Sequence, residues 1–267
     1  MIDIHCHILP GIDDGAKTLE EALAMAEIAV KDGISCIVAT PHVIAGLYDN
    51  SREDIMSAVD EVNAVFAREN IPLTIVPGAE YRIEPGLARQ LKEGRLLTVN
   101  DTGKYLLVEL PGAFIPDYTA EVLYELQLQG VTPVIAHPEK NAAFAEDPSL
   151  LAELAARGIC SQVTSGSICG LFGTKIKKAA LRLLHKGIVH FVASDAHSNR
   201  GRRPEMAAAF ELLKKQFGTE AAHRWVIENP RRAISGETLL AGKIKAGRAP
   251  WESLITKLLP VFTKNSS

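Results

Sequence analysis

The chain has 267 residues, of which 47% are hydrophobic and 23% charged, and its formal net charge is −3. This much apolar surface excludes disorder as the main state, because it has to be buried in a core. No run reaches the roughly 18 consecutive apolar residues of a membrane helix, and the first residues lack the pattern of a signal peptide, so we expect a cytoplasmic protein without a membrane span. A slightly acidic chain without a basic block also argues against nucleic acid as a partner.

Short apolar runs alternate with segments of helical period along the chain, with turn residues between them. Gly33, Gly130, Gly158 and Gly187 follow predicted helices, as glycine does at helix C-termini. Repeated β–α units predict a parallel sheet, and seven units in 267 residues favour one closed or nearly closed barrel. The predicted strands are Ile2–His5, Ser35–Thr40, Leu73–Val76, Tyr105–Glu109, Thr132–His137, Cys160–Thr164 and Val189–Ser194, and the predicted helices are Leu19–Lys31, Arg52–Glu69, Pro85–Glu93, Ala120–Leu128, Leu150–Ala156, Lys175–Lys186 and Glu205–Phe217.

No linker-like or low-complexity segment interrupts the chain, so we assign residues 1–267 to a single domain. From about residue 229 the pattern predicts a C-terminal helical tail. Within this tail, Trp251–Phe262 is amphipathic apart from Pro260, which predicts a segment that packs against the barrel.

Acidic and histidine side chains follow six of the seven predicted strands at the carboxyl end. In a barrel of parallel strands these ends meet at one rim, where active sites lie. His5 and His7 close the first strand and are expected on the same side of it, because strand side chains repeat with period two. Together with one acidic residue of the loop after the first strand, the candidates are His5, His7, Asp14, His42, Glu80, Glu109, His137, Asp195 and His197.

Imidazoles combined with carboxylates suit zinc, manganese, iron or cobalt better than calcium or magnesium, and the lack of cysteine pairs argues against a thiolate zinc site. Such an ion takes about four to six ligands including water, so nine candidates are too many for one ion. We therefore expect two or three ions that share a bridging carboxylate.

Seven motifs occur in order over roughly the first 205 residues: M-I-D-I-H-C-H-I-L-P-G-I-D-D-G-A, A-T-P-H, P-G-A-E, V-E-L, A-H-P-E, Q-V-T-S-G-S-I-C-G-L-F-G and S-D-A-H. Together they resemble the bacterial protein-tyrosine phosphatases of the PHP (polymerase and histidinol phosphatase) superfamily that are associated with capsule and exopolysaccharide biosynthesis. The resemblance implies a distorted (β/α)7 TIM-like barrel and manganese-dependent hydrolysis of phosphotyrosine at a trinuclear site. It also implies a protein substrate, an autophosphorylating bacterial tyrosine kinase, and leaves open whether the enzyme is a homo-oligomer.

The same resemblance implies a role for each candidate ligand. One ion would be held by His5, His7, Glu80 and Asp195. A second would be held by Glu80, Glu109 and His137, with Glu80 bridging, and a third by Asp14, His42 and His197. One departure concerns phosphate binding: these phosphatases often have His-Pro-Glu-Arg where this chain has His-Pro-Glu-Lys, and lysine offers a point charge in place of a bidentate fork. Lys140, Arg202 and Arg203 are therefore all candidates for the phosphate-binding cation.

The expected mechanism is direct attack by a metal-bound hydroxide without a phosphoenzyme. The cationic candidates would stabilise charge on the phosphate, and His42 could protonate the phenolate. The four cysteines are expected to be reduced thiols, and a cysteine phosphatase is excluded because none of them is followed by arginine six places on. The Asp-x-Asp motif of an aspartyl-phosphate mechanism is absent as well.

Three alternatives remain open. A PHP-family phosphatase for a small phosphomonoester such as histidinol phosphate would share the metal motifs, although the Q-V-T-S-G-S-I-C-G-L-F-G stretch and the compact Pro10–Gly15 loop favour the tyrosine phosphatase. An amidohydrolase barrel also opens with His-x-His, but it expects histidine after strand six, where this chain has Thr164 and Ser165. A non-catalytic metal-binding regulator would be expected to lack some ligands, and none of the nine is missing.

Overall fold

Strands and helices alternate throughout the part of the chain that the computed structural model describes, residues 1–240. The strands are β1 Ile2–Cys6, β2 Cys36–Ala39, β3 His42–Val43, β4 Thr74–Pro77, β5 Glu80–Arg82, β6 Tyr105–Glu109, β7 Thr132–Ala136, β8 Cys160–Thr164 and β9 Phe191–Ala193. The α-helices are α1 Leu19–Lys31, α2 Arg52–Arg68, α3 Leu87–Lys92, α4 Thr119–Leu128, α5 Ala142–Glu146, α6 Ser149–Ala156, α7 Ser165–Cys169, α8 Thr174–His185, α9 Ala207–Phe217, α10 Thr219–His223 and α11 Asn229–Ile234. Short 3₁₀-helices span Val99–Asp101 and Pro138–Lys140, and a π-helix spans Arg224–Glu228.

All strand pairs between these elements are parallel, in the orders β1-β2-β4 and β3-β5-β6-β7-β8-β9. The short β2 and β3 are two halves of one strand position, as are β4 and β5, so the sheet has the seven positions that the sequence predicts. The first and last positions are joined by two backbone hydrogen bonds: Asp195 N donates to His5 O at 2.8 Å, and His7 N donates to Ala196 O at 2.8 Å. The fold is the predicted α/β barrel.

The strands carry two apolar layers because their side chains alternate. Leu107, Val134 and Phe191 belong to a cluster inside the barrel. Their sequence neighbours, such as Val108 and Ile135, pack in a second cluster with the buried faces of the surrounding helices. Both faces of the strands are therefore buried, which accounts for the nearly continuous apolar runs of the sequence. Within residues 1–240 no helix is both long and apolar enough to cross a bilayer.

Helix boundaries follow local sequence signals in several places. Thr18 caps α1 by accepting a hydrogen bond from Glu21 N, and Ser51 forms a reciprocal capping box with Asp54 at the start of α2. The predicted bounds of α1, β6 and β8 agree with the structure. The four glycines predicted to end helices all adopt positive φ, the conformation in which a Cβ is disfavoured: Gly33, Gly130, Gly158 and Gly187.

Other predicted bounds need correction. The predicted strand Thr132–His137 ends at Ala136, because His137 adopts a left-handed backbone conformation with φ of 30°. The predicted helix Glu205–Phe217 begins at Ala207, because the carboxylate of Asp32 accepts hydrogen bonds from the Met206 and Ala207 amides. The predicted strand Val189–Ser194 is shortened to Phe191–Ala193.

The predicted C-terminal tail is described only in part. Its first segment forms α11, whose Asn229 side chain donates to His190 O and whose Ala233 packs inside the barrel. The amphipathic stretch Trp251–Phe262 lies outside the described residues.

Candidate metal centre

The nine predicted candidates converge on the rim formed by the carboxyl ends of the strands. Most of them are buried, and the Asp14 carboxylate, on the loop between β1 and α1, is the most solvent-exposed with 47% of the side chain accessible. Their elements are β1 and its following loop for His5, His7 and Asp14, the starts of β3 and β5 for His42 and Glu80, the end of β6 for Glu109, and the loops after β7 and β9 for His137, Asp195 and His197.

A register shift in β1 decides which side chains of the first strand face the centre. Ile4 belongs to the cluster inside the barrel, whereas Cys6 belongs to the outer cluster, although strict alternation would place the two on the same side. The pairing with β2 is irregular between Asp3 and Cys6. This register shift lets His5 face the interior directly after Ile4, in the way that β-bulges re-aim side chains next to functional sites.

The nine candidate ligands are called the cluster from here on. Glu80 lies at its middle and is surrounded by four imidazoles. Its Oε2 atom is 3.1 Å from His42 Nδ1, 3.3 Å from His5 Nε2 and 3.4 Å from His7 Nε2. Its Oε1 atom is 3.0 Å from His137 Nε2. Burial opposes the charge of this carboxylate, but the surrounding histidines, His5 first, hold the pKa of Glu80 well below its usual range.

Asp195 is a second carboxylate that approaches the same nitrogen of His5 as Glu80 does. Its Oδ1 atom is 3.4 Å from His5 Nε2, 3.7 Å from His197 Nδ1 and 2.6 Å from a guanidinium nitrogen of Arg202. Its Oδ2 atom accepts a hydrogen bond from Lys140 Nζ. Burial opposes ionisation, but His5 and the two cations keep the pKa of Asp195 well below its usual range.

Asp14 joins two histidines on the solvent side of the cluster. Its Oδ1 atom is 3.5 Å from His42 Nε2 and 3.4 Å from His197 Nε2. The hydrogen bond with His197 is the main reason that the pKa of Asp14 is lowered. The ring of His7 packs against that of His197 with 3.8 Å between centroids. His7 therefore lies between His197, on the solvent side, and the buried carboxylate of Glu80.

Glu109 closes the cluster on the side of β6. Its Oε1 atom is 3.8 Å from His137 Nε2, and its Oε2 atom accepts a hydrogen bond of 2.9 Å from Arg82 Nε. Sequence reasoning did not select Arg82. Its position two residues after Glu80 on β5 could have indicated it, because side chains two apart share a strand face.

The ligand atoms of these residues fall into four groups in which all atoms lie within 4.8 Å of one another. The set Glu80, Glu109 and His137 coincides with one implied ion site. The set implied for the third ion, Asp14, His42 and His197, appears here with His7 added. The set implied for the first ion is divided between two groups that both contain His5. In full the groups are His7, Asp14, His42 and His197; His5, His7 and Glu80; His5, His137 and Asp195; and Glu80, Glu109 and His137.

Three buried ligand atoms make no hydrogen bond of good geometry: Glu80 Oε2, His42 Nδ1 and Asp195 Oδ1, the last of which is ion-paired with Arg202. Native proteins rarely leave such atoms unsatisfied, and a bound ion is one of the standard explanations. These atoms nevertheless lie close to further nitrogens and oxygens of the cluster. A mixed set of imidazole nitrogens and carboxylate oxygens is the donor set that manganese, iron, cobalt or zinc accept. The residues present therefore fit divalent metal ions.

Two side chains outside the predicted set orient the buried histidines. Gln162 Oε1 is 2.9 Å from His5 Nδ1, and Asp13 Oδ2 is 2.7 Å from His7 Nδ1. Each contact occupies Nδ1 and leaves Nε2 facing the cluster, as carboxylate and carbonyl partners do behind metal-bound histidines. Burial opposes a charge on His7, but its bonds to Asp13 and Glu80 raise the pKa of His7 to about 10, so a metal ion would compete with a proton there.

The loop that carries Asp13 is held tightly against β1. Asp13 Oδ2 also accepts from His42 N at 3.0 Å, and Asp13 Oδ1 accepts from Gly15 N at 2.8 Å. A Cβ at Gly15 would lie 2.1 Å from the carbonyl oxygen of His7, so only glycine fits. In the sequence the Asp13-Asp14 pair was the available signal, and only its second member was selected.

Two of the cluster residues have unusual backbones. His137 has φ of 30° and Asp195 has φ of 53°, in the left-handed region that side chains with a Cβ rarely adopt. Such conformations are costly and concentrate at functional sites, where they aim a side chain.

The three cationic candidates for phosphate binding are placed differently. Lys140 and Arg202 both contact the Asp195 carboxylate at the edge of the cluster. Arg203 is directed to Glu205 instead, with 2.8 Å between a guanidinium nitrogen and Glu205 Oε1. The structure thus brings two of the three cations to the cluster.

Comparison with known proteins identifies the family of the chain. The family described as "Capsular polysaccharide synthesis, CpsB/CapC" matches residues 1–235. Tyrosine-protein phosphatase YwqE of Bacillus subtilis is 44% identical over 239 residues, which cover 90% of this chain and 93% of YwqE. A crystal structure from a study of YwqE from Bacillus subtilis and CpsB from Streptococcus pneumoniae, described as unique metal-dependent tyrosine phosphatases, superposes with a TM-score of 0.89 and 41% identity, covering 93% of this chain and all of that one. The lactonase Lmo2620 from Listeria monocytogenes shares the fold alone, with a TM-score of 0.57 and 14% identity. The chain belongs to the CpsB/CapC family of capsular polysaccharide synthesis proteins.

Proposed function

We propose that this chain is a metal-dependent protein tyrosine phosphatase that hydrolyses the phosphomonoester of phosphotyrosine. The observation that carries the proposal is the buried carboxylate of Glu80 among four imidazoles, with one oxygen left without a hydrogen bond. Relatives that cover nine-tenths of the chain are named tyrosine-protein phosphatases, and one is described as metal-dependent.

The cluster would hold two or three divalent ions, with Glu80 shared between sites, and we propose manganese as the metal. When bound, such ions supply positive charge for the phosphate oxygens and lower the pKa of a coordinated water. The nitrogen and oxygen donor set supports manganese without distinguishing it from iron, cobalt or zinc. The residues proposed to hold the ions are His5, His7, Asp14, His42, Glu80, Glu109, His137, Asp195 and His197.

Lys140 and Arg202 are proposed to bind the phosphate. Both side chains contact Asp195 at the edge of the cluster, so their donors would be available to a phosphate bound beside it. Cations in this position stabilise the charge that spreads over the phosphoryl oxygens as the ester bond breaks. Arg203 is less suitable because the carboxylate that its guanidinium contacts is Glu205, which is not part of the cluster.

His42 is proposed to assist the leaving group. It would do so by holding an ion on the solvent side of the cluster, where its Nε2 faces Asp14. Burial lowers the pKa of His42, so its ring is neutral near pH 7 and the proton for the phenolate would come from a water at the cluster. Phenolate is a fairly good leaving group, so this contribution to the rate is expected to be small.

The proposed substrate is a phosphorylated tyrosine of a bacterial tyrosine kinase that acts in capsule or exopolysaccharide synthesis, in the cytoplasm. The family to which the chain belongs supports a role in capsular polysaccharide synthesis. The four cysteines are free thiols, which suits a reducing compartment. Size-exclusion chromatography with light scattering would establish whether the enzyme is a homo-oligomer.

One experiment separates this function from hydrolysis of a small phosphomonoester. The full-length chain is assayed with Mn²⁺ on a phosphotyrosine peptide and on histidinol phosphate, before and after treatment with EDTA. We expect hydrolysis of the peptide, its loss with EDTA and its return with Mn²⁺. His7→Ala should abolish turnover, whereas His185→Ala is the matched control, because His185 packs on Phe217 outside the cluster. Preferred hydrolysis of histidinol phosphate, or activity that EDTA leaves unchanged, would contradict the proposal.

A further inference from the structure

Two aromatic rings lie beside the cluster, one in contact with a candidate ligand and the other with a cation at the edge of the cluster. The ring of Tyr48 stacks on that of His42, with 5.8 Å between centroids and 13° between planes. The ring of Phe172 lies with its centroid 4.6 Å from Lys140 Nζ. Both rings are partly exposed. We refer to Tyr48 and Phe172 as the aromatic pair.

The two rings approach from opposite sides of the barrel mouth. Tyr48 follows β3 and therefore the second strand position, and Phe172 follows β8 and α7 and therefore the sixth. Around a ring of seven positions these are three steps apart in one direction and four in the other. A group that extends from the cluster toward solvent would therefore have one ring on each side.

Local structure holds both rings in place. Ile44 and Tyr48 exchange two backbone hydrogen bonds of 3.0 and 2.9 Å, which close the turn after β3. On the other side Leu171 N donates to Gly166 O at 2.8 Å. A Cβ at Gly166 would lie 3.2 Å from Phe172 Cε2, so the glycine lets the Phe172 ring pack closely over the end of β8.

Exposed leucines stand beside each ring. Leu47 and Leu171 have 65% and 57% of their surface exposed, and each is adjacent in sequence to a member of the aromatic pair. Large apolar side chains in the rim loops of a site mark a surface that binds an apolar group. The cations Lys140 and Arg202 lie deeper, at Asp195, so the apolar surface is outside and the anion-binding surface is inside.

We propose that Tyr48 and Phe172 select aryl phosphates by flanking the ring of the substrate while its phosphate lies at the cluster. This inference rests on the proposed function and names the feature of the substrate that the entrance recognises. A phenyl ring attached to the phosphate extends outward between the two side chains, where edge-to-face or offset stacking stabilises it. An alkyl phosphate such as phosphoserine reaches the same cluster but leaves this space without an aromatic partner.

The test measures binding of two phosphonates that cannot be hydrolysed, one with a phenyl group on phosphorus and one with a methyl group. Affinities of phenylphosphonate and methylphosphonate for the full-length, manganese-loaded chain are determined by calorimetry for the wild type, Tyr48→Ala and Phe172→Ala. We expect the wild type to prefer phenylphosphonate and each variant to lose about tenfold in affinity for it. Affinity for methylphosphonate should change less than about twofold, because its contacts lie at the cluster. Metal content, measured on the same samples, should be unchanged.

Two control variants sharpen the result. Tyr48→Phe keeps the ring and should keep the preference. Tyr124→Ala removes a tyrosine of α4 that is 60% exposed, and should change neither affinity. Equal weakening of both ligands, or a wild type without preference for phenylphosphonate, would overturn the inference. A wild type that prefers phenylphosphonate but does not hydrolyse a phosphotyrosine peptide would leave the aryl site standing and contradict the proposed function.

Discussion

The carboxylate of Asp13 lies 2.7 Å from Nδ1 of His7, whose Nε2 atom faces the buried carboxylate of Glu80. The same Asp13 oxygen accepts a hydrogen bond from the backbone of His42. One buried carboxylate thus orients a candidate ligand from the first strand position and anchors the start of the second.

Asp13→Asn is expected to weaken metal binding by about 10- to 100-fold, because the amide is a poorer partner for the imidazole and no longer fixes Nε2 toward the cluster. The measurement is the Mn²⁺ dissociation constant from calorimetry on the stripped chain. Asp60→Asn, on the exposed face of α2, is the matched control and should bind Mn²⁺ as the wild type does. An Asp13→Asn protein with wild-type affinity would contradict the positioning role.

Arg202→Ala is expected to lower kcat/KM for a phosphotyrosine peptide by about 100-fold, since a donor at the phosphate is lost. Arg203→Ala removes a neighbouring guanidinium that pairs with Glu205 and should lower it by less than about threefold. Steady-state kinetics on both variants, with metal content verified, measure the difference. Equal losses in the two variants would show that the contact with Asp195 does not identify the phosphate-binding arginine.

Thiol alkylation at neutral pH is expected to leave activity intact. Burial raises the pKa of Cys6 well above its usual value, that of Cys36 to about 11 and that of Cys160 to about 12, and it also raises the pKa of the exposed Cys169, so all four thiols are mostly protonated at neutral pH. The check is residual activity after iodoacetamide, with labelled positions identified by mass spectrometry. Cys6→Ser should likewise remain active, and a metal-loaded but inactive Cys6→Ser protein would favour a thiol mechanism.

His190 is expected to make the free energy of unfolding depend on pH below neutrality. Burial lowers the pKa of His190 to about 4, and the Ser161 amide donates to its Nδ1, which requires the neutral ring. The unfolded chain binds this proton near pH 6.5, so stability is fully present above pH 6.5 and is lost as pH falls toward 4, by about 3 kcal/mol in total. Denaturant titrations at several pH values give the free energy of unfolding of the wild type and of His190→Asn. Plotted against pH, the two free energies should have slopes that differ by up to about 1.4 kcal/mol per pH unit in this range. Parallel curves would mean that His190 titrates normally in the folded chain.

The positions of the candidate ligands could be predicted because parallel strands place their carboxyl ends at one rim. Alternating apolar runs located the strands, and the polar residue after each run then followed from counting. The same logic predicted seven strand positions, although two of them are interrupted in the structure.

Contacts between distant segments could not be predicted. Gln162 reaches His5 across 157 residues of sequence, and Asp32 sets the start of α9 from the end of α1. The register shift in β1 and the left-handed backbone of His137 depend on the sheet around them, which local patterns do not encode. Sequence reasoning therefore selected the candidate ligands and missed the residues that orient them.

The most direct test of the account is the metal content of Glu80→Gln beside its phosphatase activity. The substitution keeps the size of the side chain and removes the charge that four imidazoles surround. The account predicts two or three manganese ions per wild-type chain by mass spectrometry, at least one fewer in Glu80→Gln, and loss of phosphotyrosine hydrolysis with an unchanged circular dichroism spectrum. A folded Glu80→Gln protein with full metal content and wild-type activity would contradict it.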